Sequence, residues 1–234
     1  MDETGGWTDS ADAWLRLVGE EGDWARTAVL DAPMLERVRR RAPVDALDVG
    51  CGEGRFCRLL RREGIAATGV DPVSAFIEAA RMRDPAGDYR LGRAERLPFP
   101  VDSFDLVVSY VALVDIPDFA AAIAEMARVL RPGGALLVAN IASLHSAGSW
   151  LHDDSGKRLG YLVDDYLDRR AAVEEWKGMK VFNWHRPLSA YMQAFLVAGL
   201  QLAWFDEPAP EPTGEKARNY RRLPWFVMME WRKL

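Results

Sequence analysis

The segment Leu47-Asp48-Val49-Gly50-Cys51-Gly52-Glu53-Gly54-Arg55-Phe56, together with the later Val70-Asp71-Pro72, constrains the fold more than any other part of the chain. An apolar run enters a glycine-rich turn and an amphipathic stretch follows. About twenty residues further on, an acid closes a second apolar run. This is the layout of a β-α-β unit that holds a nucleoside. Its glycines let the backbone come close to a ligand, and the carboxylate accepts hydrogen bonds from ribose hydroxyls. A dinucleotide site wants G-x-G-x-x-G. Here the third glycine comes one residue early, as Gly50-x-Gly52-x-Gly54, and Arg55 stands where the dinucleotide pattern has its last glycine.

The alternation continues beyond this unit. Strands are expected at 44–49, 66–70, 89–91, 104–109 and 134–140, with helices at 53–63, 73–83 and 119–130 between them. Such a pattern implies a parallel sheet covered on both faces. A helix over 188–197 stops at Gly199, a strand follows at 200–207, and 223–231 closes the sheet as an antiparallel partner. The first 42 residues read as amphipathic helices, with Pro33 suited to a helix start and Pro43 to its end. Between 142 and 186 the alternation breaks. That stretch is too long for an ordinary connection and too aromatic for a disordered linker, and so reads as an insertion folding over the site. The expected fold is α/β: a Rossmann-like, seven-stranded, mostly parallel sheet with helices on both faces and its last strand antiparallel. Within one domain, 1–42 is an N-terminal helical lid and 43–141 the ligand-binding core. The substrate cap is 142–186, and 187–234 completes the sheet.

Composition narrows the function. Lys and Arg total 30 against 35 for Asp and Glu, a net charge of -5. This matches a phosphate backbone poorly, so no nucleic-acid partner is expected. The run Arg37-Val38-Arg39-Arg40-Arg41 reads as the solvated end of a helix, its cations suiting the C-terminal dipole. The two cysteines, Cys51 and Cys57, are too few for a disulfide framework and lack partners at zinc spacing, so no metal is expected. The N-terminus is acidic and no apolar stretch approaches bilayer length, which predicts a cytoplasmic protein without a membrane partner. Oligomeric state is open between monomer and homodimer.

Three further motifs follow in order: Leu97-Pro98-Phe99, then Ser103-Phe104-Asp105-Leu106-Val107-Val108-Ser109, then Glu125-x-x-Arg128-Val129-Leu130-Arg131-Pro132-Gly133-Gly134. With the early third glycine, they resemble the class I S-adenosylmethionine-dependent methyltransferases, nearest to the small-molecule enzymes of quinone biosynthesis. The resemblance covers about 44–141 and implies S-adenosylmethionine as cofactor. It places Gly50, Gly52 and Gly54 under the methionine and ribose portions, Asp48 at the turn or the ammonium, Asp71 on the ribose hydroxyls, and Pro72 beside the adenine. It gives Ala94 and Ser109 backbone contacts and, more remotely, gives Arg26 the cofactor carboxylate. The family commonly has Asp where this chain has Arg93, which cannot accept a hydrogen bond, so either Glu95 substitutes or the backbone suffices.

A displaced methyl needs a positioned acceptor and, for a hydroxyl, a base. The histidines are His145, His152 and His185. His185 is the leading candidate and His145 the second. A purely structural hydrogen bond is the competing role for each. Asp115 and Asn140 follow the carboxyl ends of strands 4 and 5, where ligands bind. Asp115 is a candidate to hold an amine or to cap the next helix. Trp14, Tyr110, Asn140 and Trp184 are expected at the acceptor pocket. The insertion's aromatics serve either that pocket or the insertion's own core. The function expected is methyl transfer to a nitrogen or oxygen of a small aromatic or amine-bearing metabolite. The alternative is a non-catalytic S-adenosylmethionine-binding regulator. A nicotinamide oxidoreductase conflicts with the glycine spacing. An amino-methylating DNA enzyme conflicts with Ser109-Tyr110-Val111-Ala112, which is not that group's Pro-Pro-Tyr-like loop.

Overall fold

The computed structural model describes residues 4–234. Two helices, α1 (Trp7–Val18) and α2 (Asp31–Arg41), are joined through a π-helical turn at Arg26–Leu30. Then come β1 (Asp45–Val49), α3 (Arg55–Arg62), β2 (Ala66–Asp71), α4 (Ser74–Arg83), β3 (Asp88–Leu91), β4 (Phe104–Tyr110), α5 (Phe119–Val129) and β5 (Leu130–Ile141). After the short α6 (Ser143–Ser146), the stretch expected to be an insertion forms two hairpins. These are β6 (Gly148–His152) with β7 (Arg158–Val163), and β8 (Arg170–Trp176) with β9 (Met179–His185). The chain ends with α7 (Leu188–Val197), β10 (Leu200–Asp206), α8 (Glu215–Tyr220) and β11 (Phe226–Lys233).

The main sheet has seven strands in the order β10-β11-β5-β4-β1-β2-β3. β1 runs parallel to β2 and β4, β2 to β3, and β4 to β5, while β11 lies antiparallel between β5 and β10. Alternate strand residues feed two cores. Leu136 and Val138 of β5 join the layer under α5 and α7, whereas Ala135, Leu137 and Ala139 join the layer under α2 and α3. Both sets are buried because the helices cover both faces, as the unbroken apolar runs require.

One expectation changes here. The arginine run is more than a solvated helix end: Arg37 and Arg41 both pair with Glu230 of β11, which is 1% exposed. α2 is thereby tied to the sheet by a buried carboxylate. The Pro132-Gly133-Gly134 turn lies inside β5, where the register against β4 slips between Phe104 and Leu106. Gly133 takes φ +80° there, and regular pairing of β5 with both neighbours starts at Ala135.

Candidate active site

The strand order reverses between β1 and β4, and open α/β sheets bind ligands beyond the strand carboxyl ends at such a point. A cleft lies there. Its floor is the turn after β1 together with Asp71 and Pro72. Gly92 to Glu95 form one side, Tyr110 to Ala112 and Asp115 to Pro117 the other, and Trp7, Trp14, Arg26 and Phe76 close it from outside.

The three glycines of the turn have φ of +76°, +52° and +76°, the left-handed region that glycine enters freely. Their surroundings differ. A Cβ at Gly50 would come within 2.4 Å of the Ala112 Cβ, and one at Gly54 within 2.4 Å of the Tyr89 ring. One at Gly52 would meet nothing within 4 Å. Gly50 and Gly54 are thus required by packing inside the protein, and Gly54 does not line the cleft. Gly52 alone leaves room for a ligand.

Asp71 accepts from the Gly52 N–H (2.9 Å) and the Val73 N–H (2.9 Å), so it fixes the turn and the start of α4 together. Each oxygen keeps acceptor capacity toward the cleft. Burial pushes its pKa up to about 6, against these two backbone bonds. Asp48 is 1% exposed. Its Oδ2 takes the Cys57 thiol at 3.6 Å, while Oδ1 is buried without a hydrogen-bond partner among the described residues. Burial, with Asp71 and Glu53 nearby, pushes Asp48 up to about 7 despite the Cys57 bond. A buried carboxylate oxygen left open beside a cleft fits a cationic donor brought by a ligand. Ala94 and Glu95 line the cleft, and Glu95 is paired with Arg93 at 3.1 Å.

Asp115 and the carboxylates of the turn line the same cleft. Burial pushes Asp115 up to about 7, against hydrogen bonds from the Trp7 indole and from Asn183. The Asn183 bond is 2.6 Å long and comes from β9. Tyr110 lines the cleft, stacks on Phe56 and donates to Asp31 Oδ1 at 2.6 Å. Arg26 also reaches the cleft, but it is ion-paired with Asp23 and lies over the Trp14 ring at 4.9 Å.

Five expected residues stand elsewhere. Both His185 ring nitrogens are held inside the protein, Nδ1 by Ser146 Oγ and Nε2 by the Tyr166 carbonyl, each at 2.8 Å. The His145 ring lies on Trp225 with centroids 3.8 Å apart, and burial drops its pKa to about 4. Neither lines the cleft. Asn140 is 1% exposed and spends its Oδ1 on the Val114 N–H. Trp184 sits beneath the Arg186 guanidinium, and Ser109 is fully buried in β4 one residue short of the cleft. No described residue from 142–186 lines the cleft. The insertion's aromatics pack on one another, on Trp7 and on Trp225.

Three contributors escape a reading of the sequence. Trp7 sits two helical turns before Trp14, and that spacing is a legible sign of a shared face. Arg55 reaches back to the Glu21 carbonyl (2.6 Å) and to Asp31, pinning the N-terminal segment to the turn. Val111 has φ +60°, costly for a β-branched residue, at the point where β4 ends in the cleft.

Fold and site are those of an α/β domain with a cleft at the switch point beyond the carboxyl ends of β1 and β4. Residues 47–138 match the family described as a methyltransferase domain. Over 114 residues the chain is 37% identical to a malonyl-[acyl-carrier protein] O-methyltransferase of Serratia marcescens, covering 48% of this chain and 45% of that one. Over 149 residues it is 37% identical to a phthiotriol/phenolphthiotriol dimycocerosates methyltransferase of Mycobacterium leprae, covering 60% and 55%. The chain thus spans about half the length of the curated relatives it matches. Among solved structures, an S-adenosylmethionine-dependent methyltransferase of Mesorhizobium loti superposes with TM-score 0.73 at 25% identity, covering 85% of this chain and 96% of that one. One from Listeria monocytogenes shares the fold with TM-score 0.77 at 23% identity, over 87% and 97%. Residues 47–138 thus carry a methyltransferase domain, on a fold shared with S-adenosylmethionine-dependent methyltransferases of solved structure.

Proposed function

We propose that this chain transfers a methyl group from S-adenosylmethionine to a nitrogen or oxygen of a small metabolite. The observation that carries the reading is the convergence of three features at the switch point: the open buried Asp48 Oδ1, the space over Gly52, and Asp71. Asp48 would take the methionine ammonium and Asp71 the ribose hydroxyls, with Ala94 and Glu95 at the adenine. The bound cofactor supplies an electrophilic sulfonium methyl.

The protein's own work is then positioning. Trp7, Trp14, Phe76 and Ile116 keep water from the acceptor side, and Asp115 is the polar group there able to orient an acceptor or take its proton. With a pKa near neutrality it can hold or release a proton at working pH. N-terminal helix α1 and the hairpin of β8 and β9 serve as cover, with His185 as a fixed hydrogen-bonding post. The reading predicts saturable binding of S-adenosylmethionine by titration calorimetry, lost or at least tenfold weakened in Asp71→Ala. Absent binding, or binding indifferent to Asp71, would sink it. Tight binding with no methyl transfer across a broad acceptor panel would favour a non-catalytic binder.

A further inference from the structure

The acceptor side of the cleft has a chemistry of its own. Trp7 meets Trp14 edge-on with ring centroids 5.5 Å apart, and Phe76 lies 6.0 Å from Trp7. All three line the cleft, and the Trp7 indole N–H points at Asp115. Flat apolar walls with one carboxylate at their edge suit a flat body that carries a hydrogen-bond donor or a cation.

Charge decides between acceptor types. The cleft is lined by the carboxyl groups of Asp48, Glu53, Asp71, Glu95 and Asp115. Its guanidinium groups are already engaged: Arg26 pairs with Asp23, Arg55 with Asp31 and Arg93 with Glu95. An acceptor carboxylate would therefore meet like charge in a poorly hydrated site. Asp115 is held by two neutral donors, Trp7 from α1 and Asn183 from β9. The charged groups that face it are Arg26 from the π-helical turn, Asp71 after β2, and Arg186 after β9. None of these makes an ion pair with it among the described residues. The arrangement leaves a carboxylate that lacks a cation beside an aromatic wall.

We propose that the methyl acceptor is a primary or secondary amine on a flat apolar body, docked through its ammonium on Asp115 with the body against Trp7, Trp14 and Phe76. The proposal rests on the methyltransferase reading and names its substrate class. Asn183 is a positioning residue, setting the direction of the Asp115 carboxylate from the cap. In the reaction the ammonium first gives one proton to Asp115, which exposes the nitrogen lone pair. The nitrogen then forms the new N–C bond as the C–S bond breaks, and that bond's electron pair stays on sulfur. Asp115 passes its proton to water, so one proton is released per methyl transferred.

The test is calorimetry on the full chain saturated with S-adenosylhomocysteine, titrated with tryptamine, tryptophol and indole-3-propionate. These share one flat body and differ in the terminal group. Tryptamine is expected to bind at least about tenfold more tightly than the other two. Asp115→Asn should erase that preference while changing S-adenosylhomocysteine affinity less than about twofold. Tryptamine affinity should rise with pH through neutrality, as Asp115 ionises. In Asn183→Ala that rise should move up by roughly one pH unit, because a donor to the ionised form is gone. A variant acting only on fold stability would leave the midpoint where it was. Equal binding of the three probes, preference for the alcohol or the acid, or no binding of any below about 10 mM overturns the proposal. Failure of S-adenosylhomocysteine itself to bind overturns the methyltransferase reading with it.

Discussion

Asp48, Asp71 and Asp115 all have pKa values above the ordinary aspartate value of 3.8, at about 7, 6 and 7. Burial is the main cause in each, so ionising them in the ligand-free fold costs free energy that the unfolded chain does not incur. The sign follows. Groups raised in the folded state contribute stability that is full below about pH 4 and lost as pH climbs through about 6 to 7. Asp48→Asn should therefore melt higher than the parent at pH 8, with the gap narrower at pH 5 and gone only below about pH 4, while its S-adenosylmethionine affinity falls. Melting curves at the two pH values, paired with calorimetry, check this. Cofactor affinity of the parent should itself rise between pH 5 and pH 8, since binding uses the ionised carboxylates. The glycines give a second contrast. Gly52→Ala should fold at a cost of about 1–2 kcal/mol from its left-handed backbone and lose cofactor affinity at least tenfold. Gly50→Ala and Gly54→Ala should be less stable than Gly52→Ala, because their Cβ atoms would collide with Ala112 and Tyr89. Equal melting of the three variants would contradict that division.

Elements meet through pairs of motifs that are far apart in the chain. Glu125 of α5 accepts from the Leu97 N–H at 2.8 Å, and Arg128 donates to the Leu97 and Phe99 carbonyls. The Leu97-Pro98-Phe99 and Glu125-x-x-Arg128 signatures are therefore two halves of one joint. A similar joint secures the hairpin of β8 and β9. Arg186 donates to the carbonyls of Leu113, Ile116 and Pro117, and the Trp184 N–H reaches Val114 at 2.7 Å. The loop that carries Asp115 is thus laced to β9. On the other side, Ser10 of α1 accepts from the Lys180 N–H and donates to its carbonyl. Arg186→Met should lower the melting temperature by several degrees, since a buried charged donor to three carbonyls is worth about 3 kcal/mol or more. Scanning calorimetry reads this directly. Ser10→Ala should speed amide exchange at Lys180 and along α1 together, and exchange confined to one of them would show that helix and hairpin move separately.

The glycine turn and the hairpin of β8 and β9 are both held by the N-terminal segment. Arg55 grips it at the turn, and the Phe182 N–H of β9 bonds the Gly5 carbonyl at 2.9 Å. Ligand binding should therefore register as global stabilisation. S-adenosylmethionine at about 100 times its Kd is expected to add about 2.7 kcal/mol, or roughly 5–10 °C in Tm for a chain of this size. A thermal shift below about 1 °C at that saturation would mean that the cleft is not coupled to the fold as its contacts imply.

Local patterning carried most of the sheet. Apolar runs of period two and helical runs between them are properties of neighbouring residues, and the spans expected at 188–197 and 66–70 lie on α7 and β2 to within a residue. The glycine turn, Asp48 and Asp71 were legible for the same reason: a backbone forced through left-handed angles between two strands needs those residues close together in the chain. The outer side of the cleft was not legible in this way. His185 and Asn140 carry chemistry by type, yet the fold spends their polar atoms on Ser146, Tyr166 and Val114. Whether a side chain faces a cleft or a neighbour depends on contacts between segments far apart in sequence. Asn183 meets Asp115 across 68 positions, and Ser10 meets Lys180 across 170. No spacing rule spans such distances. The floor of the cleft is written in one contiguous turn, whereas its outer side exists only once α1, the loop after β4 and β9 have packed together.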